Sequence, residues 1–331
     1  MICSGAQGRG VHYLWKQRIV EIKKSFLPRE HSARQAVFIA KAKDYSCNIS
    51  EIIRCGMKEL GLGRREIRGK RILLKPNLME PHAQHGHITT HPSVVQAAAE
   101  AFFSLGAVKV IVAEGAGNCR DVHFVLEESG LNDVLTQEKL PFVDCNDAHV
   151  HAVQNLGGLT SLEKLWLPQL ILQVDMVVSV AKMKTHHWAG VTLSMKNLFG
   201  LMPGIIYGWP KNVLHSEGIE PSILDIAATV RPDFAIVDGI IGMEGDGPIL
   251  GNPISSGVIV MGRSAVAVDA TCCRIMGIDP EKIDYLQAAD NWLGVIDDNK
   301  IKQRGEKHSS VCQDFMLLDF IPSQQGVRLV R

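Results

Sequence analysis

The stretch MVVSVAKMKTHH at residues 176–187 joins an apolar run to a cluster of charged and imidazole side chains. Its first half is short and rich in β-branched residues, so it predicts a buried strand. Its second half places two lysines and two histidines where that strand ends. Lysine is among the residues least often buried, so this cluster indicates contact with an anion, a substrate carbonyl or solvent. The stretch therefore predicts a core strand with a candidate site at its carboxyl end.

Segments of strand and helix character alternate along the chain on both sides of this stretch. Strands are predicted at residues 37–42, 71–74, 108–113, 142–144, 176–181, 234–237 and 257–261, with a final edge strand at 315–320. Helices are predicted at residues 49–62, 92–105, 121–129, 222–230 and 265–276. This alternation predicts an α/β fold with a mainly parallel, doubly wound sheet, helices on both of its faces, and one or two lobes.

The first 34 residues differ in character from the rest, so the chain divides into residues 1–34 and an α/β domain at residues 35–331. The shorter part is basic, and apolar residues recur in it at helical spacing. It is therefore a basic amphipathic extension. It lies on a membrane surface, on a partner or on the domain itself, and we favour packing on the domain.

Composition excludes several classes of protein. The 331 residues carry no formal net charge and the sequence pI is about 7.2, so no bulk charge directs the chain to nucleic acid. No run of about 18 apolar residues predicts a membrane span. The eight cysteines include no C-x-x-C pair and follow no secretory segment, which favours a reduced, cytoplasmic protein. The adjacent Cys272 and Cys273 are interpreted as core residues of a helix.

Polar side chains follow four of the predicted strands. In a mainly parallel sheet the carboxyl ends of these strands meet at one rim, so we expect their side chains to converge on one crevice. Lysine, carboxylate, amide and imidazole groups together can orient and protonate a small anionic molecule. The residues expected there are Lys75, Asn77, Glu114, Lys182, Lys184, His186 and Asp238.

Several short motifs occur in a fixed order between about residues 75 and 290. They are Lys75-Pro76-Asn77, Thr90 and Pro92, Lys182-x-Lys184-x-His186, Thr192, Lys196-Asn197-Leu198-Phe199-Gly200, His215, Asp238-Gly239, Gly245-x-Gly247-Pro248-x-x-Gly251 and the VAVDA sequence at residues 266–270. In this order they resemble the domain of unknown function 362 family. The resemblance implies no defined activity, although many members of that family carry ferredoxin-type cysteine motifs. This chain has no C-x-x-C-x-x-C run, so we expect no intrinsic iron–sulfur cluster, and a redox role would need an external electron-transfer partner.

These observations assign candidate roles to individual residues. The catalytic candidates are His186, Lys184, His215 and Lys196. The candidates for binding an anion or substrate are Lys75, Asn77, Lys182, Asn197, Asp238, Gly247 and Asp269. His186 is preferred to His187 because neighbouring side chains of an extended strand point to opposite faces, which directs His187 toward packing.

A divalent metal is a further expectation, because imidazole is the commonest transition-metal ligand in proteins. His186 and His215 are the first candidates, since both match the motifs of the family. His82, His85 and His87 form a second, weaker group in the loop after Asn77. Their spacing fits no standard zinc motif, so a flexible solvated loop is the alternative.

Two classes of function remain open at this point. The first is an enzyme that acts on a small anionic or carbonyl compound through the lysine and histidine site, with or without a metal or redox step. The second is a non-catalytic accessory protein that binds a metal or cofactor, or docks to a redox partner. An enzyme should have a deep, enclosed pocket with a perturbed lysine or histidine, whereas a docking protein should present a shallow exposed patch.

Overall fold

The computed structural model describes residues 35–81, 86–117 and 121–330, and its centre is one mixed sheet. The strands within this part are β1 (Ala36–Lys41), β2 (Arg71–Pro76), β3 (Lys109–Glu114), β4 (Phe142–Asp144), β5 (Val150–Gln154), β6 (Lys164–Pro168), β7 (Met176–His186), β8 (Gly190–Thr192), β9 (Phe234–Glu244), β10 (Asn252–Gly262) and β11 (Lys302–Gly305). Nine of them form a sheet in the order β11-β1-β10-β9-β7-β2-β3-β4, with β8 paired to β7, while β5 and β6 form a separate hairpin.

The sheet is mainly parallel, as the sequence predicts. Strand β10 runs antiparallel to both of its neighbours and β8 runs antiparallel to β7. The remaining pairings of the large sheet are parallel. The α/β fold class is therefore confirmed, and the continuity of the sheet favours one lobe over two.

Helices cover both faces of this sheet. They are α1 (Ile49–Glu59), α2 (Arg64–Ile67), α3 (Pro92–Ser104), α4 (Val122–Glu128), α5 (Leu131–Gln137), α6 (Ser194–Asn197), α7 (Gly204–Tyr207), α8 (Asn212–Ser216), α9 (Ile219–Val230), α10 (Ala265–Ile275) and α11 (Asp284–Ala289). Helices α1, α3 and α5 pack on one face in one apolar cluster, and α9, α10 and α11 pack on the other face in a second cluster. None of the helices in the described residues is long and apolar enough to cross a bilayer.

The side chains of strand β7 alternate between the two apolar clusters. Val178 and Val180 belong to the cluster under α1 and α3, whereas Val177 and Ala181 belong to the cluster under α9 and α10. This alternation is the period of two expected of an extended strand, and burial on both faces explains the nearly continuous apolar run.

The carboxyl end of β7 extends past its neighbour. Strand β2 ends at Pro76, which pairs with Val180, so residues 181–186 continue beyond it. Strand β8 turns back on this extension and pairs Thr192 with Lys184. The projecting end supplies the floor of the candidate site.

Four details differ from the prediction. Strand β7 runs to His186, and β9 and β10 are also longer than predicted. The β5–β6 hairpin lies in a region predicted to be irregular. No strand forms at residues 315–320, where Phe315 is instead a buried anchor, and β8 and β11 are strands of the large sheet that were not predicted. Residues 1–34, the predicted basic extension, lie outside the described residues.

The interpretation of the cysteine pair is confirmed. Cys272 and Cys273 are both fully buried on α10 and belong to the apolar cluster on that side of the sheet.

Candidate anion-binding cavity

A cavity of about 270 Å³ opens where β2, β3 and β7 end. Three lysines and one carboxylate are among its described lining residues, so positive charge predominates there. The polar and ionisable residues of the lining are Lys75, Asn77, Glu114, His186, His187, Thr192, Lys196, Asn197, Lys211 and His215. A cavity of this size suits a ligand of a few heavy atoms.

Lys75 and Glu114 form a buried ion pair at one side of the cavity. The Lys75 ammonium also donates to Asn197 Oδ1 at 2.8 Å and to the Pro76 carbonyl at 2.7 Å, so three acceptors hold it in place. Burial raises the pKa of Glu114 to about 7 and lowers that of Lys75, while the contact between the two groups opposes both shifts. Gly200 packs against the pair so closely that a Cβ there would overlap Glu114.

Lys196 is held at the cavity by the four-residue helix α6. At its start, Asp269 on α10 accepts hydrogen bonds from the backbone N–H of Ser194 at 2.8 Å and of Met195 at 2.9 Å. At its end, Asn197 donates to the Lys75 carbonyl at 2.9 Å. Asp269 was expected to bind substrate, but it caps this helix and lines no part of the cavity. Burial raises its pKa to about 7.

The Lys196 ammonium differs from every other lysine in this region. It lies 4.6 Å from the centre of the Phe199 ring, and it forms no hydrogen bond or ion pair with a described residue. Burial, and to a lesser degree the charge of Lys75, lower the pKa of Lys196 to about 8. Its amine is therefore available to a ligand.

Thr192 contributes a second group without a protein partner. Its side chain is buried, and its Oγ1 has no hydrogen-bond partner among the described residues. A buried hydroxyl without a partner is costly, and Thr192 is a residue of the cavity lining, so a small movement of this side chain would let a ligand satisfy its hydroxyl.

His186 is fixed in one tautomer. Its Nδ1 accepts hydrogen bonds from the backbone N–H of Trp188 at 3.0 Å and of Ala189 at 3.1 Å. Burial lowers the pKa of His186 well below its usual value, and the charge of Lys196 acts in the same direction. The ring is therefore neutral with its proton on Nε2, which makes it a hydrogen-bond donor to the cavity.

A row of aromatic and imidazole rings forms part of the cavity wall. The His187 ring meets Trp188 edge-on at 4.8 Å, and Trp188 meets His215 edge-on at 5.1 Å. Burial lowers the pKa of His215 to about 4, so this imidazole is neutral near pH 7. The expectation that His187 turns toward packing is wrong. It is half-buried in the cavity lining, 3.6 Å from Asp246.

Lys211 is a lining residue that the sequence does not single out. It adopts a left-handed backbone conformation with a φ of 70°, which is uncommon for a residue with a Cβ, and its ammonium donates to Asn146 Oδ1. Burial lowers its pKa to about 8, while the charge of Glu114 opposes this shift. Backbone strain of this kind is characteristic of functional sites.

The predicted convergence on one crevice is wrong for Lys182 and Asp238. These two residues form a buried ion pair of 2.9 Å on the α1–α3 side of the sheet. Tyr45 accepts from Lys182 at 2.8 Å and donates to Asp238 at 3.1 Å, and its ring stacks on His91 at 3.6 Å. The cluster of Lys182, Asp238, Tyr45 and His91 joins the sheet to the loops above it and contributes no lining residue.

Lys184 and Gly247 are also structural rather than exposed to the cavity. The Lys184 ammonium is fully buried and donates to Asn77 Oδ1 and the Ile88 carbonyl at 2.8 Å, and to the Pro248 carbonyl at 3.2 Å. Its three acceptors tie β7 to two loops that border the cavity, and burial lowers its pKa. At Gly247 a Cβ would collide with the Thr185 backbone.

The metal prediction stays open. His82 and His85 lie outside the described residues, and His87 is buried away from the cavity lining. Across residues 35–81, 86–117 and 121–330, no three His, Cys, Asp or Glu side chains are grouped so as to hold a metal ion. The Nδ1 of His186 is occupied by two N–H donors, so that nitrogen is not available as a ligand.

Sequence reasoning did not single out Lys211 and assigned no individual role to Thr192, whereas Glu114 was expected in the crevice and does line the cavity. The sequence carried a signal for Thr192, because it is one of the residues of the family resemblance and precedes the motif that begins at Lys196. Lys211 follows Trp209 and Pro210 in a loop, and the sequence there does not distinguish a buried lysine from a solvated one.

Comparison with known proteins places the chain among uncharacterised relatives. The model of a domain of unknown function (DUF362) matches residues 72–274, which is more than half of the chain. A thylakoid-associated protein, sll1697, of Synechocystis sp. (strain ATCC 27184 / PCC 6803 / Kazusa) is 28% identical over 242 residues, 71% of each chain. The lactate racemase apoprotein of Thermoanaerobacterium thermosaccharolyticum aligns with a TM-score of 0.41 and 11% identity. That alignment covers 76% of this chain and 59%, less than two thirds, of the racemase.

Proposed function

This chain belongs to the domain of unknown function 362 family, and we propose that it is an enzyme acting on a small anionic or carbonyl compound held in the cavity. The observation that carries the proposal is that Lys196 lines the cavity without a hydrogen bond or ion pair to a described residue, and that the lining also contains Thr192, whose buried hydroxyl has no partner among the described residues. A charged amine and a buried hydroxyl left in this way are complementary to the oxygen atoms of an anion.

The surrounding groups support the same ligand class. Lys211 adds a second cation without a carboxylate at ion-pair distance among the described residues, and His186 adds a neutral N–H donor. Glu114 is the single carboxyl among the described lining residues, and its pKa of about 7 suits proton transfer near neutral pH. Clamping cations, an N–H donor and one titrating carboxyl are the components of acid–base catalysis on an anion.

Thermal melts with a panel of small carboxylates, inorganic phosphate and uncharged aldehydes and ketones test this proposal. We expect anions to raise the melting temperature of the wild type, and Lys196→Met to reduce the effect. Lys164→Met, which alters an exposed lysine of β6, is the matched control and should behave as the wild type. Lack of a shift with every anion, or equal loss in both variants, would refute the proposal.

An accessory role remains the alternative. In that case the protein would bind a metal, a cofactor or an external electron-transfer partner without transforming a substrate. Elemental analysis of the full chain, with iron and acid-labile sulfide measured after anaerobic purification, tests the metal expectation and the expected absence of an iron–sulfur cluster. An anion that binds but stays unchanged on long incubation, followed by NMR, would favour this alternative.

We also propose a cytoplasmic location, on the cysteine pattern alone. The cyanobacterial relative is named as thylakoid-associated, so membrane attachment is the competing outcome. Fractionation of cells that express the full chain distinguishes the two, with recovery in the membrane pellet as the contrary result.

A further inference from the structure

We infer that Lys196 is a nucleophile whose Nζ forms an imine with the carbonyl carbon of a small oxo acid. This inference rests on the proposed function of the cavity and names both its substrate class and its covalent step.

The first argument is the contrast among the lysines of this region. The ammonium of Lys75 has three acceptors, that of Lys184 has three, and that of Lys211 contacts Asn146. These contacts occupy all three N–H groups of Lys75 and of Lys184, and one contact orients the nitrogen of Lys211. Lys196 has no such contact, although its position is fixed through α6 and Asp269. A nucleophilic lysine needs this combination of a fixed stem and a free amine.

The electrostatic environment favours the neutral, nucleophilic form of this amine. Burial and the charge of Lys75 lower the pKa of Lys196 to about 8. Near neutral pH a lysine with this pKa contains on the order of a hundredfold more neutral amine than an ordinary solvated lysine. Lys211 has a similarly lowered pKa, but its nitrogen contacts Asn146. Comparing the reactivity of Lys196 and Lys211 therefore shows whether a lowered pKa is sufficient or whether an amine without a partner is also needed.

The substrate class follows from the other lining groups. Lys211 and the Nε2–H of His186 are donors suited to a carboxylate, and the Thr192 hydroxyl is suited to a carbonyl-derived oxygen. The wall formed by Trp188 and Phe199 is apolar and leaves space for a short carbon chain. A volume of about 270 Å³ limits the compound to a few heavy atoms.

The step balances without an oxidant or reductant. The Lys196 amine attacks the carbonyl carbon, a C–N bond forms, and the electron pair of the C=O bond moves to oxygen, which takes a proton. The carbinolamine then loses its hydroxyl with a second proton as water, while the nitrogen lone pair forms the C=N bond. The first proton on oxygen comes from solvent and balances the one that the Lys196 ammonium released to solvent when its neutral amine formed. Glu114 can accept the proton that the nitrogen releases after attack and return it to the departing hydroxyl. The products are a protonated imine and one water molecule.

Reductive trapping tests the inference on the full chain. The protein is incubated with glyoxylate, pyruvate or 2-oxoglutarate and sodium cyanoborohydride, and the modified lysine is mapped by peptide mass spectrometry. With at least one of these probes we expect a single adduct on Lys196, in large excess over any other lysine. Lys196→Arg should lose the adduct, whereas Lys164→Met, which alters an exposed lysine of β6, should keep it.

Binding of propanoate, a carboxylate that forms no imine, separates this inference from the proposed function. If propanoate binds but none of the three oxo acids modifies Lys196, the imine is refuted and the anion-binding cavity stands. If propanoate does not bind and no adduct forms, both fail. Adducts spread evenly over the lysines, or an adduct retained in Lys196→Arg, also overturn the imine. Circular dichroism confirms that each variant is folded.

Discussion

Lys75 and Lys182 lie at the carboxyl ends of adjacent strands, yet their side chains project from opposite faces of the sheet. Lys75 pairs with Ser179 of β7, and Lys182 is three residues further along that strand, so the pleat turns it away. Lys75 therefore reaches the cavity, whereas Lys182 reaches Asp238 under α1 and α3. One edge of the sheet carries two separate lysine–carboxylate pairs.

This separation predicts different effects of mutation at the two lysines. Lys182→Met leaves the buried carboxylate of Asp238 without its cation, and it should lower the free energy of unfolding by about 3 kcal/mol. Because Lys182 is absent from the cavity lining, the affinity of the folded variant for propanoate should be unchanged. Urea denaturation and calorimetric titration measure the two effects.

The double variant Lys182→Met with Asp238→Leu is the control for this interpretation. Removing both charges should lower the free energy of unfolding by less than removing the lysine alone, because no uncompensated carboxylate remains. A double variant less stable than the single one, or a loss of propanoate affinity in either, would contradict the separation.

Propanoate affinity should depend on pH through the lysines of the cavity. The pKa values of Lys196 and Lys211 are lowered to about 8, so both groups lose their charge as the pH rises through this value. Affinity should therefore be highest below about pH 8 and fall by roughly tenfold by pH 9.5. Imine trapping should show the opposite slope up to pH 8, because it needs the neutral amine. Parallel slopes in the two assays would be inconsistent with this account.

Thr192→Val should make the unliganded protein more stable and should weaken the binding of the ligand. The hydroxyl of Thr192 is buried without a partner, so removing it should raise the free energy of unfolding by about 1 kcal/mol. The same change removes a ligand contact and should weaken propanoate binding several-fold. Thr271→Val is the matched control, because the hydroxyl of Thr271 donates to the Ala267 carbonyl at 2.8 Å. That control should show no gain in stability and no change in affinity.

Asp269→Asn should alter how stability depends on pH. Burial raises the folded-state pKa of Asp269 from an ordinary 3.8 to about 7. The folded protein therefore binds this proton more tightly than the unfolded chain, and the resulting stabilisation is present below about pH 4 and lost as the pH rises through about 7. The stability difference between wild type and variant should be largest near pH 4. It should shrink by up to a few kcal/mol toward pH 8, in urea titrations at each pH.

Glu114 also titrates near pH 7, but it is present in both proteins and cancels from their difference. A difference that stays constant from pH 4 to pH 8 would show that Asp269 is ionised throughout this range in the folded protein.

The order of strands and helices was predictable because their apolar runs are strong and regularly spaced. The MVVSVA run of β7 and the Ala- and Val-rich segments of α3 and α10 are examples. The two helices begin and end within one residue of the prediction, and β7 begins where predicted but continues to His186. The β5–β6 hairpin was not predicted because both strands are only five residues long and β5 contains no fully buried residue. Residues 315–320 looked like a strand, but their apolar side chains anchor an irregular segment instead.

The composition of the site was only partly predictable. Lys75, Asn77, His186, Lys196, Asn197 and His215 are expected candidates that line the cavity. Lys182, Lys184 and Asp238 were grouped with them because the position of a residue at a strand end predicts which edge of the sheet it lies at. It does not predict from which face of the sheet the side chain projects. The role of Asp269 required three-dimensional information, since it contacts a helix 74 and 75 residues away in sequence.

The capping of α6 by Asp269 has a consequence for how this cavity can change over evolutionary time. A helix of four residues is too short to be stable alone, so the location of the Lys196 amine is set by a carboxylate of α10, within the core. Substitutions around α10 can therefore shift the amine by fractions of an ångström without altering any lining residue. Relatives with identical lining residues could in this way differ in the compounds they accept, and the residues that explain the difference would lie in the interior.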